Sequence, residues 1–106
     1  MDQTSLETKI FKLITHSGTA RADLYDALTE TRKQNYEKSK QLLKSANDEL
    51  VLAHNIQTEL IQKNLNNNLD ISLLLIHAQD QFMTTMSEQS LIEQMIKMQK
   101  EINNLN

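Results

Sequence analysis

Between Ile71 and Thr85, the polar residues His77, Gln79, Asp80, Gln81 and Thr84 interrupt a run of Leu73, Leu74, Leu75, Ile76, Ala78, Phe82 and Met83. His77 precedes Asp80 by three residues and Gln81 by four, so on a helix these side chains share a face, and Thr84 continues it one turn later. An imidazole there can act as a nucleophile, a base or a metal ligand. Placing polar groups in an apolar helix costs free energy unless they find partners, and an unpaired carboxylate costs most. Most lone helical histidines are simply hydrogen-bonded, so a structural role and a chemical one both stand at this point.

A second polar cluster is His54 with Gln57 and Thr58. The remaining histidine, His16, fits no pattern and reads as incidental. Zinc held by His54, His77 and Asp80 is conceivable, but no two histidines have ligand spacing on one helix. The sequence has no glycine-rich phosphate loop, nucleophilic-serine motif or pair of catalytic carboxylates. Five methionines follow helical spacing and read as core or seam filler.

The elements that must position these residues are helices. In 106 residues there is no proline and one glycine, Gly18, which leaves little punctuation for a sheet protein. Apolar residues make up 39% and aromatics 4%, which suits an all-α helix bundle forming a single domain over 1–106. The net charge of −3, with lysines spread along the chain, gives no footprint for nucleic acid or an anionic membrane. No cysteine is present, so a disulfide framework is excluded. The longest apolar run, Leu73 to Ile76, is too short for membrane insertion, and Met1-Asp2-Gln3 does not open a signal peptide. A cytoplasmic location is expected.

Periodicity places helices over about 5–29, 36–63 and 70–102. Leu6, Ile10, Leu13, Ser17, Ala20, Leu24 and Ala27, with Ile14 and Leu28 beside them, form the stripe of the first helix. Thr4 and Glu7 have capping-box spacing. Gly18 inside it is either a tolerated defect or a place where something approaches too closely for a Cβ. Glu30 to Gln34 form the first connection, with Asn35 as N-cap. Tyr36, Leu43, Ala46, Leu50, Ala53 and Leu60, widened by Leu42 and Ile56, form the second stripe. The asparagine-rich run from Asn64 to Asn68 forms the second connection, and Asp70 caps the third helix. That third helix is apolar nearly all round from Ile71 to Met83, more than one bundle can cover, so it is expected to pack against copies of itself. Leu73, Ile76, Asp80, Met83, Ser87 and Ser90 would form this seam at heptad spacing. Copies of Asp80 would then meet near the axis and require a cation or shared protons, or else serve to set register.

Three blocks carry a resemblance: Gly18-Thr19-Ala20-Arg21, Ala53-His54-Asn55-Ile56-Gln57-Thr58, and Ile76-His77-Ala78-Gln79-Asp80 followed by Met83-Thr84-Thr85. In order and spacing they resemble the enzyme IIA proteins of the bacterial phosphotransferase system, in the lactose/cellobiose/diacetylchitobiose family, over about Leu6 to Ile102. The resemblance implies an antiparallel three-helix bundle that forms a homotrimer through the third helices. It also implies that His77 accepts a phosphoryl group from HPr and passes it to a cysteine of enzyme IIB. It assigns Asp80 to a divalent cation, usually Mg²⁺, with one per trimer at the axis. His54, Gln57, Thr58, Gln79 and Gln81 become candidates for stabilising the phosphoryl group. Most members of the family have histidine at the position of Gln81 and leucine at that of Phe82, and Gln81 cannot carry a positive charge. The competing expectations are a non-catalytic helical oligomerisation or adaptor protein and a metal-binding storage or sensor protein. The sugar is not legible, since enzyme IIA does not touch it.

Overall fold

Long uninterrupted amphipathic segments produce long helices, and the computed structural model, which describes residues 3–65 and 72–105, contains three. They are α1 (Gln3–Arg32), α2 (Tyr36–Leu65) and α3 (Leu73–Asn104). No strand occurs among the described residues. The bundle measures 57 × 18 × 18 Å. Cross-links between the helices give their directions. His16 pairs with Glu49, Asp23 with Ser45 and Thr31 with Ser39, so α1 and α2 run antiparallel. Arg21 pairs with Glu88 and Thr31 with Asn103, so α3 runs parallel to α1.

The expected stripes form the core. Ile10, Leu13, Ala20, Leu24 and Ala27 of α1 are buried with Ala46, Leu50, Ala53 and Leu60 of α2. From α3 come Leu75, Ala78, Phe82, Ile92 and Ile96. The alanines let backbones approach while Leu and Phe fill the space between them. Helix α1 packs along both others, whereas α2 and α3 touch sparingly, leaving a groove between them.

The helix ends depart from the expected limits. Helix α1 starts at Gln3, so Thr4 lies inside the first turn and not at its cap. It also runs on to Arg32, because Thr31 faces inward and is satisfied there. Its hydroxyl donates to the Ala27 carbonyl at 2.9 Å and lies 2.7 Å from that of Ser39. The connection is therefore only residues 33–35. Gln34 takes a φ of 67°, and the Gln34 and Asn35 amides donate to the Thr31 and Glu30 carbonyls at 3.0 and 2.9 Å, a Schellman closure without glycine. The Asn35 carbonyl accepts from the Ser39 amide at 3.0 Å, as an N-cap carbonyl does. Its side chain, however, donates to the Glu30 carboxylate at 2.8 Å and lowers the pKa of that group.

The C-terminal end of α3 is tied to this connection. The Asn103 side chain donates to the Thr31 carbonyl and the Tyr36 hydroxyl, each at 2.9 Å, while the Gln99 amide donates to the Asn103 side-chain oxygen at 2.9 Å. Tyr36 is thus exposed and latched, with the Lys100 ammonium 5.7 Å from its ring, and is not a core residue. At the other end, Ser72 caps α3 by accepting from the Leu75 amide at 3.1 Å, in the role expected of Asp70. Asp70 and residues 66–68 of the asparagine run lie outside the described residues, and Asn64 is still helical.

Candidate functional site

On α3, six residues at helical spacing face the core: Leu75, Ala78, Phe82, Thr85, Ile92 and Ile96. The opposite face is open. Leu73, Ile76, Asp80, Met83, Ser87 and Ser90, the expected seam, are all exposed, with Leu73 at 83%, Ile76 at 54% and Met83 at 57%. Beyond Ser87 the apolar stripe does not hold the heptad position of Ser90. It shifts to Leu91, Met98 and Ile102, which gives Ile76, Ser87, Met98 and Asp80, Leu91, Ile102 a spacing of eleven. Asp80 stands within this stripe and forms no ion pair among the described residues. No three ligating side chains converge in one chain among those residues, so neither Asp80 nor the histidines make a metal centre unaided.

His77 is exposed on the flank of the stripe that faces α1. Gln81, one turn further along, is half-buried against α1, its amide nitrogen 3.3 Å from where a Cβ on Gly18 would stand. Thr84 and Glu88 continue the same row. Glu88 accepts from Arg21 at 2.6 Å, and this hydrogen bond and its charge raise the Arg21 pKa. The sequence signal for that pair was the helical spacing of Glu88 from Thr84. Its partner on α1 was not legible, because it depends on the stagger of two helices.

The other candidates gather on the far side of α3. Gln79 is two residues from His77, a rotation of about 200°, and accepts from Gln57 of α2 at 2.7 Å. The Gln57 amide also lies 3.7 Å from the Met83 sulfur. The His54 ring is tilted 39° against Phe82, 6.5 Å between centroids. Thr58 donates to the His54 carbonyl at 3.0 Å. His54 also lines the α2/α3 groove of about 200 Å³, with Leu50, Val51, Phe82 and Met86. Within one chain, therefore, His77 and Gln81 stand on one flank of the exposed stripe, and His54, Gln57 and Gln79 on the other. His16 is not incidental: its Nδ1 lies 2.5 Å from Glu49, bridging α1 and α2.

This placement can be set beside known proteins. Residues 8–100 match the family model described as the lactose/cellobiose-specific IIA subunit of the phosphotransferase system. The lichenan-specific phosphotransferase enzyme IIA component of Bacillus subtilis (strain 168) is 32% identical over 98 residues, 92% of this chain and 89% of that protein. The crystal structure of the cellobiose-specific enzyme IIA from Bacillus anthracis superposes with a TM-score of 0.91 at 31% identity, over 100% of this chain and 96% of that one. The IIA(chitobiose) chain solved in complex with HPr from Escherichia coli gives 0.81 at 31% identity, covering 92% and 96%. With the motif blocks on all three helices and the match spanning nearly the whole bundle, the chain belongs to the lactose/cellobiose-specific enzyme IIA family and is a phosphotransferase component of a sugar phosphotransferase system.

Proposed function

We propose that His77 accepts a phosphoryl group from phosphorylated HPr and hands it to a cysteine of enzyme IIB. The observation that carries this reading is the exposure of His77, whose ring has no hydrogen-bond or ion-pair partner among the described residues. A carrier must present its nucleophile to two protein partners in turn, so a buried or ion-paired imidazole would be unsuited. A related IIA structure solved with HPr supports HPr as the donor. The protein's task is to position the ring and stabilise spread-out negative charge during in-line transfer.

The exposed stripe of α3 supports self-association as a homotrimer about that helix. Around such an axis, the His77 flank of one chain would face the His54, Gln57, Thr58 and Gln79 flank of its neighbour, so hydrogen-bonding groups missing within one chain would come from the next. The carboxylates of Asp80 would approach one another among apolar side chains. Oxygen donors of that kind suit a hard divalent cation such as Mg²⁺, which would offset their repulsion. The chemistry remains with His77. No helix is long and apolar enough to cross a membrane among the described residues, and no basic patch suggests nucleic acid. A cytoplasmic carrier working beside a membrane permease is the proposed setting.

The test is incubation with phosphoenolpyruvate, enzyme I and HPr, followed by mapping of the labelled residue. The parent should label at His77 and His77→Ala should lose labelling by at least about 100-fold. Undiminished labelling of His77→Ala would end this reading. An unlabelled but oligomeric parent would favour the adaptor alternative.

A further inference from the structure

Gly18 sits well inside a helix of 30 residues, where it costs about 1 kcal/mol relative to alanine. Its φ is not positive, so backbone freedom does not explain it. What a Cβ there would meet is the Gln81 amide nitrogen at 3.3 Å, closer than comfortable van der Waals contact. The Gln81 carboxamide therefore lies over Gly18 of α1, at the edge of the space that a side chain there would fill. Gln81 lies one turn beyond His77 on the same row of α3, so an amide held at Gly18 stands beside the row that presents His77. Its amide has no hydrogen-bonding partner among the described residues, while its backbone carbonyl accepts from Thr85 at 2.8 Å.

We propose that Gly18 is a seat for Gln81 that holds the Gln81 amide as a hydrogen-bond donor to the phosphoryl group on His77. Gln81 touches the group in transit, and Gly18 is a positioning residue acting through it. The proposal rests on His77 being the phosphoryl acceptor. In the step concerned, a lone pair on one His77 nitrogen forms a bond to phosphorus as the donor histidine's N–P bond breaks and its electron pair returns to the donor ring. The proton shed by the other His77 nitrogen balances the one regained by the donor ring. Negative charge is spread over the three phosphoryl oxygens throughout, and an oriented N–H beside them stabilises it without reorganising.

The experiment is a double-mutant cycle of Gly18→Ala, Gln81→Ala and the two combined, read by single-turnover transfer from phosphorylated HPr, with thermal melts alongside. Either single change should slow the saturated transfer rate roughly tenfold and leave the half-saturating HPr concentration unchanged. Gly18→Ala should melt no lower than the parent. The combined variant should be no slower than either single one, because once the amide is gone the seat has nothing to position. Gln81→Glu should be slower than Gln81→Ala, since it keeps the shape but replaces a donor by a repelling carboxylate.

The proposal is overturned if Gly18→Ala transfers at the parental rate, or if it slows transfer equally in the Gln81→Ala background. If Gly18→Ala does not fold, the comparison of Gln81→Glu with Gln81→Ala decides, and equal rates overturn the seat. A parent that takes no label at His77 removes the underlying reading and this one with it. A labelled parent with additive effects removes this one alone.

Discussion

His77 and Gln79 are near neighbours in the chain, yet they face opposite flanks of α3, one on the row of Gln81 and the other bonded to Gln57. Their settings therefore separate: the His77 ring is exposed with no partner among the described residues, and Gln79 is tied to α2 through Gln57. Residue-scale strain is concentrated elsewhere, at Gln34, which holds a φ of 67° to close α1. A side chain in the left-handed region costs about 1 kcal/mol more than glycine. Gln34→Gly should therefore raise stability by about 1 kcal/mol, seen as a higher urea midpoint at fixed protein concentration. No change would mean that this closure relaxes without cost.

At the scale of the elements, the two ends of α3 are held differently. Its N-terminus is capped locally by Ser72, while its C-terminus is tied to the α1–α2 connection through Asn103. Removing that side chain strips donors from the Thr31 carbonyl and the Tyr36 hydroxyl. Asn103→Ala should cost about 1 kcal/mol and speed hydrogen exchange in the last turns of α3, with little change in the phosphoryl transfer proposed for the distant His77. Unchanged exchange there would show that the latch contributes nothing. Most of this level was legible in the sequence. The stripes of α1 and α2 became the core because apolar side chains at a 3.6-residue period must be buried together. Helix ends were less legible. Thr31 reads as part of the first connection, yet its hydroxyl is buried against that of Ser39. Satisfying polar groups through a tertiary pair leaves no mark on local composition.

At the scale of the whole molecule, α3 carries two apolar faces, and only one is covered within the chain. If the exposed stripe is a seam, a charge placed in it should break it and an apolar residue should not. Met83→Lys should weaken self-association at least tenfold, about 1.4 kcal/mol, as measured by sedimentation. Asp80→Leu should leave the assembly intact or tighter and abolish any response to a chelator. A monomeric Asp80→Leu would show instead that the carboxylates hold the assembly together. If the stripe is a seam, its eleven-residue spacing would favour a shallow right-handed winding of the α3 helices and not the left-handed supercoil of a heptad repeat.

The sequence by itself determined that this is a helical bundle, which faces of its helices are apolar, and which histidine stands in the family motif. These are properties of residue type and period, carried by neighbours along one chain. The tertiary structure decided how the three helices are staggered. Only that stagger brings Gln81 over Gly18, Gln57 to Gln79 and Glu88 to Arg21, and sets His77 apart from His54, Gln57 and Gln79, which the resemblance had grouped with it. The reason is geometric. Residues on one helix are ordered by period, whereas the meeting of two helices depends on the packing of every side chain along the interface.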